Sequence, residues 1–276
     1  MRLRILYEDR ALIFIDKPPG LVVQRRMFEP DEPCLHDLVQ RHTSPAFLMQ
    51  RLDRGTSGVM FFSKLAEVNA RLTRQFQRKR IRKTYLAICD GELAERRTID
   101  APIARVGTIT FGVRDDGKRA VTHLAPLASS KAGSLVEITL ETGRTHQIRV
   151  HLSAIGHPVA GDWLYGEKNA ARPMLHAAAL EMTHPLTGQT LRVAAPTPDD
   201  FREEAERRGI RHFGFDEPTV PTSGTPWRAE AATPGFPAPL PGTLGPTHYD
   251  TSDRFVTVDT SGIDATSTGS SGTTGT

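Results

Sequence analysis

A short charged turn that runs directly into an apolar stretch most constrains how this chain can fold. The sequence reads Arg51-Leu52-Asp53-Arg54-Gly55-Thr56-Ser57-Gly58 and continues as Val59-Met60-Phe61-Phe62. The second stretch has the β-branched and aromatic content of a buried strand, and the glycines allow a sharp turn before it. Asp53 lies between two arginines, and nearby positive charge favours an ionised carboxylate. The sequence therefore predicts a charged Asp53 mounted at the end of a rigid strand.

Two interpretations of Asp53 are open at this point. Short runs of arginine and aspartate most often form structural ion pairs that cap a turn. A carboxylate held beside fixed cations and close to flexible backbone can also serve as a nucleophile or a base. The choice between them depends on what the rest of the chain brings to this turn.

The charge of the chain is divided between a basic body and an acidic tail. The formal net charge is +3, but from Asp216 onward seven acidic residues face two basic ones, so residues 1–215 carry +8. A basic folded body favours a polyanionic partner such as a nucleic acid. Cys34 and Cys89 have no metal or redox spacing, which is typical of a reducing compartment. With neither a signal peptide nor a membrane-spanning apolar run, we expect a cytoplasmic protein.

The composition also divides the chain into two parts near residue 215. Residues 218–246 contain eight prolines, and 14 of the 17 residues in 260–276 are Ser, Thr or Gly. Such segments bury too little apolar surface to offset the entropy lost on ordering. We therefore predict one folded domain over residues 1–215 and a tail over 216–276 that is disordered or loosely draped and is dispensable for chemistry.

A predicted helix after Lys64 carries a strongly basic face. Apolar residues recur at helical spacing, and residues 71–83 contain seven basic side chains and no acidic one: Arg71, Arg74, Arg78, Lys79, Arg80, Arg82 and Lys83. A solvated helix face with cations near its C-terminal end is one explanation. The imbalance of charge favours the other, which is contact with phosphate groups.

A second polar cluster follows a predicted strand over residues 135–140. Five polar side chains lie within eight residues at a strand-to-helix turn: Arg144, His146, Gln147, Arg149 and His151. Dense, mixed polarity at such a turn predicts a preorganised site. Neither the spacing of these histidines nor that of His157 puts two ligands on one helix face, and no cysteine or carboxylate joins them. We therefore predict no metal site.

Together these segments resemble the RluA-type pseudouridine synthases. The resemblance rests on the turn at 51–58 and on further motifs in matching order: Lys17-Pro18-Pro19-Gly20-Leu21, Lys83-Thr84-Tyr85-Leu86-Ala87, Gly143-Arg144-Thr145-His146-Gln147-Ile148-Arg149-Val150-His151, Gly156-His157-Pro158 with Gly161-Asp162, and Leu175-His176-Ala177 with His184-Pro185. It covers about residues 4–200 and is similar to short members, since we expect no amino-terminal S4-type RNA-binding domain before the first strand.

The resemblance implies a fold and a reaction. The expected fold is α+β, with a central, mainly antiparallel mixed sheet, flanking helices and a basic cleft, so that residues 1–215 would be the catalytic domain. The expected reaction isomerises specific uridines to pseudouridine in transfer RNA, in large-subunit (23S-type) ribosomal RNA, or in both. It needs no metal and no cofactor. We assume a monomer.

The resemblance also implies roles for individual residues. Asp53 would attack ribose carbon 1′ or take a proton from carbon 2′, and Arg144 would be the buried arginine that keeps it ionised. Tyr85 would stack on the uracil and help to remove the carbon-5 proton, and Arg51 would fill the gap left by the flipped base. The remaining predicted substrate contacts are Leu175, Arg54, Arg78, Lys79, Arg80 and Lys83. His176 is either a pocket group or a core histidine.

The chain departs from the family pattern at two positions. Family members usually have His where this chain has Gln50, and often have His where it has Gln24. Glutamine can replace a neutral imidazole in hydrogen bonding but cannot become a cation. These departures put in doubt a titrating histidine near Asp53.

Two other functions compete with the synthase prediction. A non-catalytic RNA-binding or RNA-folding protein could retain the cleft, but it would be expected to lose Asp53 or its partners. A glycoside or nucleoside hydrolase would need a second carboxylate, and structural roles suit Glu141 and Asp162 better.

Overall fold

The computed structural model describes residues 2–25, 32–211 and 255–257 of the chain. The helices of this described part are α1 (Leu35–His42), α2 (Ala66–Gln77), α3 (Gln147–Ala154) and α4 (Asp199–Arg207). The first seven strands are β1 (Arg2–Glu8), β2 (Leu12–Lys17), β3 (Phe47–Leu48), β4 (Ser57–Ser63), β5 (Arg82–Asp90), β6 (Arg97–Asp100) and β7 (Ile103–Arg105). The others are β8 (Phe111–Val113), β9 (Val121–Ser130), β10 (Gly133–Leu140), β11 (Leu175–Thr183), β12 (Thr190–Ala194) and β13 (Phe255–Thr257).

One large mixed sheet organises the described residues. Its strand order is β13-β1-β2-β4-β11-β5-β10-β9-β6, with β12 beside β11 and β3 beside β4, while β7 and β8 form a separate hairpin. β4 and β11 run parallel, and the other pairs of the large sheet run antiparallel. The predicted α+β architecture with a mainly antiparallel mixed sheet is confirmed.

The predicted apolar strand after the charged turn is β4, at the centre of the molecule. Every residue of β4 is buried, because β2 and β11 flank it and side chains cover both faces of the sheet. The ring of Phe61 stacks on that of Phe14 in β2, with centroids 5.2 Å apart. Burial of one such side chain stabilises the fold by about 1.5–3 kcal/mol. The turn that carries Asp53 is thus attached to the most deeply buried strand.

The helices follow the predicted amphipathic patterns. In α2, Val68 and Leu72 are buried, whereas Arg71 and Arg74 on the other side are exposed. The short helices α1 and α4 each bury part of their surface, with Leu35, Leu38 and Val39 buried in α1 and Phe201, Glu204 and Ala205 buried in α4. No helix in the described residues is both long and apolar enough to cross a membrane.

Part of the predicted tail enters the sheet. Residues Phe255–Thr257 pair antiparallel with residues 2–4 of β1 and form its outermost strand. The other residues of 216–276 lie outside the described residues. The domain boundary near residue 215 therefore stays a prediction.

A glycine makes the parallel junction of β4 and β11 possible. Gly58 has φ +109°, and a Cβ built on it would lie 2.2 Å from the carbonyl oxygen of Ala177. This region of backbone conformation disfavours L side chains, and any side chain would push β11 away. The close approach brings the start of β11 beside the turn that carries Asp53.

We predict that Gly58→Ala costs about 2–6 kcal/mol of unfolding free energy, the sum of backbone strain and steric overlap. Urea unfolding measures this loss. Gly188→Ala is the matched control, since Gly188 has φ +73° and a Cβ added there would meet nothing within 4 Å. Equal losses in the two variants would mean that the contact with Ala177 does not matter.

Candidate active site

A cavity of about 80 Å³ opens where four chain segments meet. The turn before β4, the start of β11, the strand β5 and the turn between β10 and α3 all contribute to it. Its lining residues are Arg51, Leu52, Asp53, Thr56, Tyr85, Leu140, Arg144, His146, Gln147, Ile148, Arg149 and Leu175. Asp53 is the one carboxylate among these described residues.

Asp53 is held through one of its two oxygens. Arg149 Nη1 donates to Asp53 Oδ2 over 3.0 Å, and His146 Nε2 lies 3.8 Å from the same oxygen. Within the described part of the chain, no hydrogen bond reaches Oδ1 of Asp53. The Asp53 side chain is 32% exposed, so this second oxygen is available to a ligand in the cavity.

Arg149 is itself fixed by a buried carboxylate on its other side. Its Nε and Nη2 donate to the two oxygens of Asp162 over 2.6 and 2.7 Å, and Asp162 is fully buried. Burial alone would lower the pKa of Arg149, but the hydrogen bonds and charge of Asp162, with the charge of Asp53, outweigh it and raise the pKa. A bidentate pair of this kind also sets the direction of the guanidinium plane. Arg149 therefore stays charged and points at Asp53.

The prediction that Arg144 is the buried partner of Asp53 is wrong. Arg144 is exposed, and its Nε donates to the backbone carbonyl of Arg119 over 3.0 Å. The reason is its place in the chain, because Arg144 precedes α3 at the cavity rim, whereas Arg149 lies in the first turn of the helix and faces inward. Arg149 stands in the motif at 143–151, but without the helix boundaries the sequence does not separate the two arginines.

Tyr85 and Leu175 lie in the cavity as predicted from the motifs. They come from neighbouring strands, since Tyr85 pairs with Ala177 and Ala87 pairs with Leu175 in the register of β5 and β11. Both side chains are buried. Burial, with the negative charge of Asp53, raises the pKa of Tyr85. Its hydroxyl is therefore protonated at neutral pH.

Lys17 anchors the turn that carries Asp53, a role that sequence reasoning missed. This fully buried lysine donates through Nζ to the carbonyls of Pro18, Leu21 and Arg54 over 2.8, 2.8 and 3.2 Å. Gly20 N also donates to Arg54 O over 2.8 Å. Burial, with the charge of Arg172, lowers the pKa of Lys17 to about 7. The signal was the Lys-Pro-Pro-Gly run, whose turn is bonded to the Asp53 turn.

Other polar residues of the motifs support the site from outside the cavity centre. Gln147 Nε2 donates to the carbonyl of Val121 over 2.9 Å, and its Oε1 accepts from Thr142 Oγ1 and from Arg144 N. His176 is fully buried and lies 3.0 Å through Nδ1 from Ser57 Oγ. Burial lowers the pKa of His176 to about 4. His176 is therefore a neutral core residue rather than a pocket group.

The predicted phosphate contacts occupy different environments. Arg51 is exposed and lines the cavity, while Arg54 donates to Gly20 O and pairs with Glu32 at 2.9 Å. Lys79 pairs with Glu141 at 2.9 Å. The three cations that directly follow α2 are all exposed, namely Arg78, Lys79 and Arg80.

Lys83 differs from these because it is half-buried. Its Nζ would lie 3.2 Å from a Cβ on Gly143, at the cavity rim. Burial lowers its pKa, and no acidic residue in the described ranges pairs with it. Such a cation is suited to an anionic ligand.

The two departures from the family pattern have different surroundings. Gln24 is exposed. Gln50 is half-buried, and its Nε2 is buried without a hydrogen-bond partner among the described residues.

Within the described part of the chain, no group of three or more His, Cys, Asp or Glu side chains could hold a metal ion.

Comparisons with known proteins identify the family of this chain. A family model described as RNA pseudouridylate synthase matches residues 11–154. The chain belongs to this family. Ribosomal large subunit pseudouridine synthase D of Nitrosomonas europaea is 40% identical over 235 residues, which cover 78% of this chain and 68% of the relative. The protein of the same name from Xanthomonas campestris pv. campestris is 38% identical over 223 residues, covering 72% and 67%.

A solved structure extends the match to the fold. Human RNA Pseudouridylate Synthase Domain Containing 1 superposes with a TM-score of 0.60 at 30% identity, over 71% of this chain and 84% of that one. The predicted RluA-type membership and synthase fold are confirmed. The protein is an RNA pseudouridine synthase, an isomerase whose substrate is RNA, and the non-catalytic alternative is not favoured.

We predict that Arg149→Lys lowers kcat of the synthase about 100-fold, because a lysine cannot hold Asp162 and Asp53 together and the carboxylate loses its direction. Release of tritium from uracil carbon 5 measures the rate. Arg144→Lys, the same change at the rim, should cost less than about 10-fold. A larger loss in Arg144→Lys would restore the sequence-based assignment.

Proposed function

We propose that the synthase isomerises uridines of large-subunit ribosomal RNA, with Asp53 as its catalytic carboxylate. The catalytic role of Asp53 is supported by the different environments of its two carboxylate oxygens. One oxygen is held by Arg149 over 3.0 Å, and the other accepts no hydrogen bond from the described residues, while Asp53 itself lines the cavity. A carboxylate that is fixed through one oxygen and free at the other is preorganised to react with a ribose carbon or its proton.

The relatives support the choice of RNA. The Nitrosomonas and Xanthomonas proteins are named for the large ribosomal subunit, and the chain covers about two thirds of each. Transfer RNA, the other predicted class, has no such support among these names. We therefore prefer ribosomal RNA and keep transfer RNA as an outcome of the test.

The proposed reaction breaks one bond and forms another within the same nucleotide. The free oxygen of Asp53 either attacks ribose carbon 1′ or takes the proton from carbon 2′, and the N-glycosidic bond breaks. The uracil turns and rejoins carbon 1′ through carbon 5, while the bond from Asp53 to carbon 1′ breaks in the first case or the proton returns to carbon 2′ in the second. Carbon 5 then loses its hydrogen as a proton and nitrogen 1 gains one, so that the product is an isomer of the starting nucleotide.

Tyr85 and Leu175 are suited to hold the uracil during this turn. Their buried side chains face the cavity from adjacent strands, and an aromatic ring offers a stacking surface to any base. In the free enzyme the pKa of Tyr85 is raised, so its hydroxyl is protonated. This argues against the Tyr85 hydroxyl as the base that removes the carbon-5 proton. We propose stacking as its main role.

Basic residues around the cavity are suited to the RNA backbone. A base inside folded RNA must be flipped out before it can react, and Arg51, exposed at the cavity, can fill the space it leaves. Lys83 lies at the rim without an acidic partner in the described residues. The exposed cations that follow α2 extend this surface, which favours phosphate contacts.

A hydrolase is not supported by the surroundings of the other carboxylates. Asp162 is fully buried and bonded through both oxygens to Arg149. Glu141 pairs with Lys79 at 2.9 Å and lies 3.1 Å from His123. Neither is free to act as the second acid or base that a two-carboxylate hydrolase needs. The predictions of a monomer and of a cytoplasmic location stay predictions.

We predict that the synthase releases tritium from large-subunit ribosomal RNA transcripts labelled at uracil carbon 5, and that Asp53→Asn lowers this release at least about 1,000-fold because the amide is neither nucleophile nor base. Transfer RNA transcripts serve as the competing substrate. Asp115→Asn is the matched control, since it makes the same change on an exposed turn.

Each alternative has its own outcome in this assay. Full activity in Asp53→Asn would contradict the catalytic role of Asp53. Tritium release from transfer RNA alone would contradict the proposed ribosomal RNA substrate, while the proposed isomerisation reaction would stand. Free uracil in solution would indicate a hydrolase.

A further inference from the structure

His146 has an unusual backbone conformation for its residue type. It precedes α3 with φ +55° and ψ +19°, in the left-handed region. Lys79 is the other non-glycine residue with positive φ in the described part of the chain. This conformation is unfavourable for an L residue, and strained positions cluster at functional sites. Here the strain turns the side chain into the cavity that holds Asp53.

Two aromatic rings fix the plane of the His146 imidazole. Phe111 of β8 contacts it edge-on with centroids 5.6 Å apart, and Tyr165, which follows α3 in the chain, does the same at 5.6 Å. The side chain is 17% exposed. Because both neighbours are bulky, the ring cannot turn away from Asp53 without displacing one of them.

The hydroxyl of Tyr165 decides which nitrogen of His146 carries the proton. Tyr165 Oη accepts a hydrogen bond from Phe111 N over 3.0 Å and lies 2.7 Å from His146 Nδ1. Nε2 faces Oδ2 of Asp53 at 3.8 Å, and a carboxylate oxygen favours an N–H over a lone pair there, so the Tyr165 hydroxyl donates its one hydrogen to Nδ1. The neutral ring therefore carries its own proton on Nε2, the nitrogen that faces Asp53.

The charges around the ring favour its neutral form. Burial lowers the pKa of His146, and Arg149 lowers it further, against the opposing effects of Asp53 and Asp162. Among the described residues, the Tyr165 hydroxyl also faces the ring, and the charged Arg144 and the titratable Tyr85 line the same cavity. A neutral donor adds no second positive charge beside the carboxylate.

We propose that His146 is a positioning residue for the reaction: its Nε2–H, set by the Tyr165 hydroxyl, donates a hydrogen bond to Oδ2 of Asp53 when the RNA substrate is bound. The distance of 3.8 Å exceeds a hydrogen bond, and catalytic hydrogen bonds often shorten only in the substrate complex. Oδ2 then has two donors, Arg149 and His146, and Oδ1 is the oxygen that reacts. The inference rests on the proposed catalytic role of Asp53.

The position before the Arg-Leu-Asp motif has no imidazole in this chain. Gln50 occupies that position and cannot titrate. His146 supplies an imidazole beside the same carboxylate from another segment of the chain. Protonation of His146 would place a second cation on Asp53 and make the carboxylate a weaker nucleophile and base. The rate should therefore fall as the pH decreases through the lowered pKa of His146.

The test compares two substitutions of similar size at the same strained position. We expect His146→Leu to lower kcat about 30-fold, with KM changed less than about threefold, because the donor is lost but the RNA surface is not. We expect His146→Gln to recover at least about fivefold of that loss through its amide donor, and to lose the acidic decline of kcat that the wild type has. A purely structural role would not produce that difference in pH dependence.

Tyr165→Phe provides the second measurement, since it removes only the hydroxyl that sets the tautomer. We expect kcat about 5–10-fold lower with nearly the same KM. Urea unfolding of all variants corrects for lost stability.

Equal rates and equal pH profiles in His146→Leu and His146→Gln would overturn the inference. If Asp53→Asn is inactive at the same time, the proposed function stands and only the role of His146 fails. If Asp53→Asn is active, the proposed function itself fails.

Discussion

The site depends on one guanidinium shared between two carboxylates. Arg149 binds Asp162 through Nε and Nη2 and Asp53 through Nη1. Asp162 is fully buried, and an unpaired charge there would cost several kcal/mol. Separating Arg149 from Asp162 would therefore be strongly unfavourable, and Nη1 of Arg149 stays directed at Asp53. The Asp53 turn, α3 and the loop that follows α3 are joined in this way.

The sheet provides the rigidity that this arrangement needs. The Asp53 turn leads into β4, the buried central strand, and is bonded to the Lys17 turn through the carbonyl of Arg54. The parallel contact of β4 with β11 at Gly58 brings Leu175 to the same end of the sheet. The side chains proposed to hold the uracil thus stand on strands, so that small movements of loops do not displace them. Preorganisation of this kind reduces the reorganisation required in the transition state.

The sequence predicted the elements and motifs better than the contacts between them. The strand at β4, the helix at α2 and the cavity residues Asp53, Tyr85 and Leu175 follow from apolar periodicity and from the family resemblance. The choice between Arg144 and Arg149 did not, because both stand in one polar motif and only the start of α3 gives their directions. Tyr165 was missed for a related reason, since nothing local links it to His146.

The other features that the sequence did not predict depend on contacts between residues far apart in the chain. The Lys-Pro-Pro-Gly run marks a turn in the sequence, but the role of Lys17 becomes visible only where its ammonium group meets the Arg54 carbonyl. The segment Phe255–Thr257 pairs with residues 2–4 of β1 from the far end of the chain, which no local pattern in a tail of that composition predicts. Hydrophobic patterns predict burial, but they do not identify the partner strand or the partner charge.

The most direct test is a crystal structure of the synthase with a substrate RNA fragment that carries 5-fluorouridine at the target position. Fluorine replaces the hydrogen that must leave carbon 5, so that the complex stalls before the last step. We expect Asp53 Oδ1 against the ribose and Arg149 still bonded to Oδ2. A ribose against another side chain, or Arg144 in place of Arg149 beside Asp53, would contradict it.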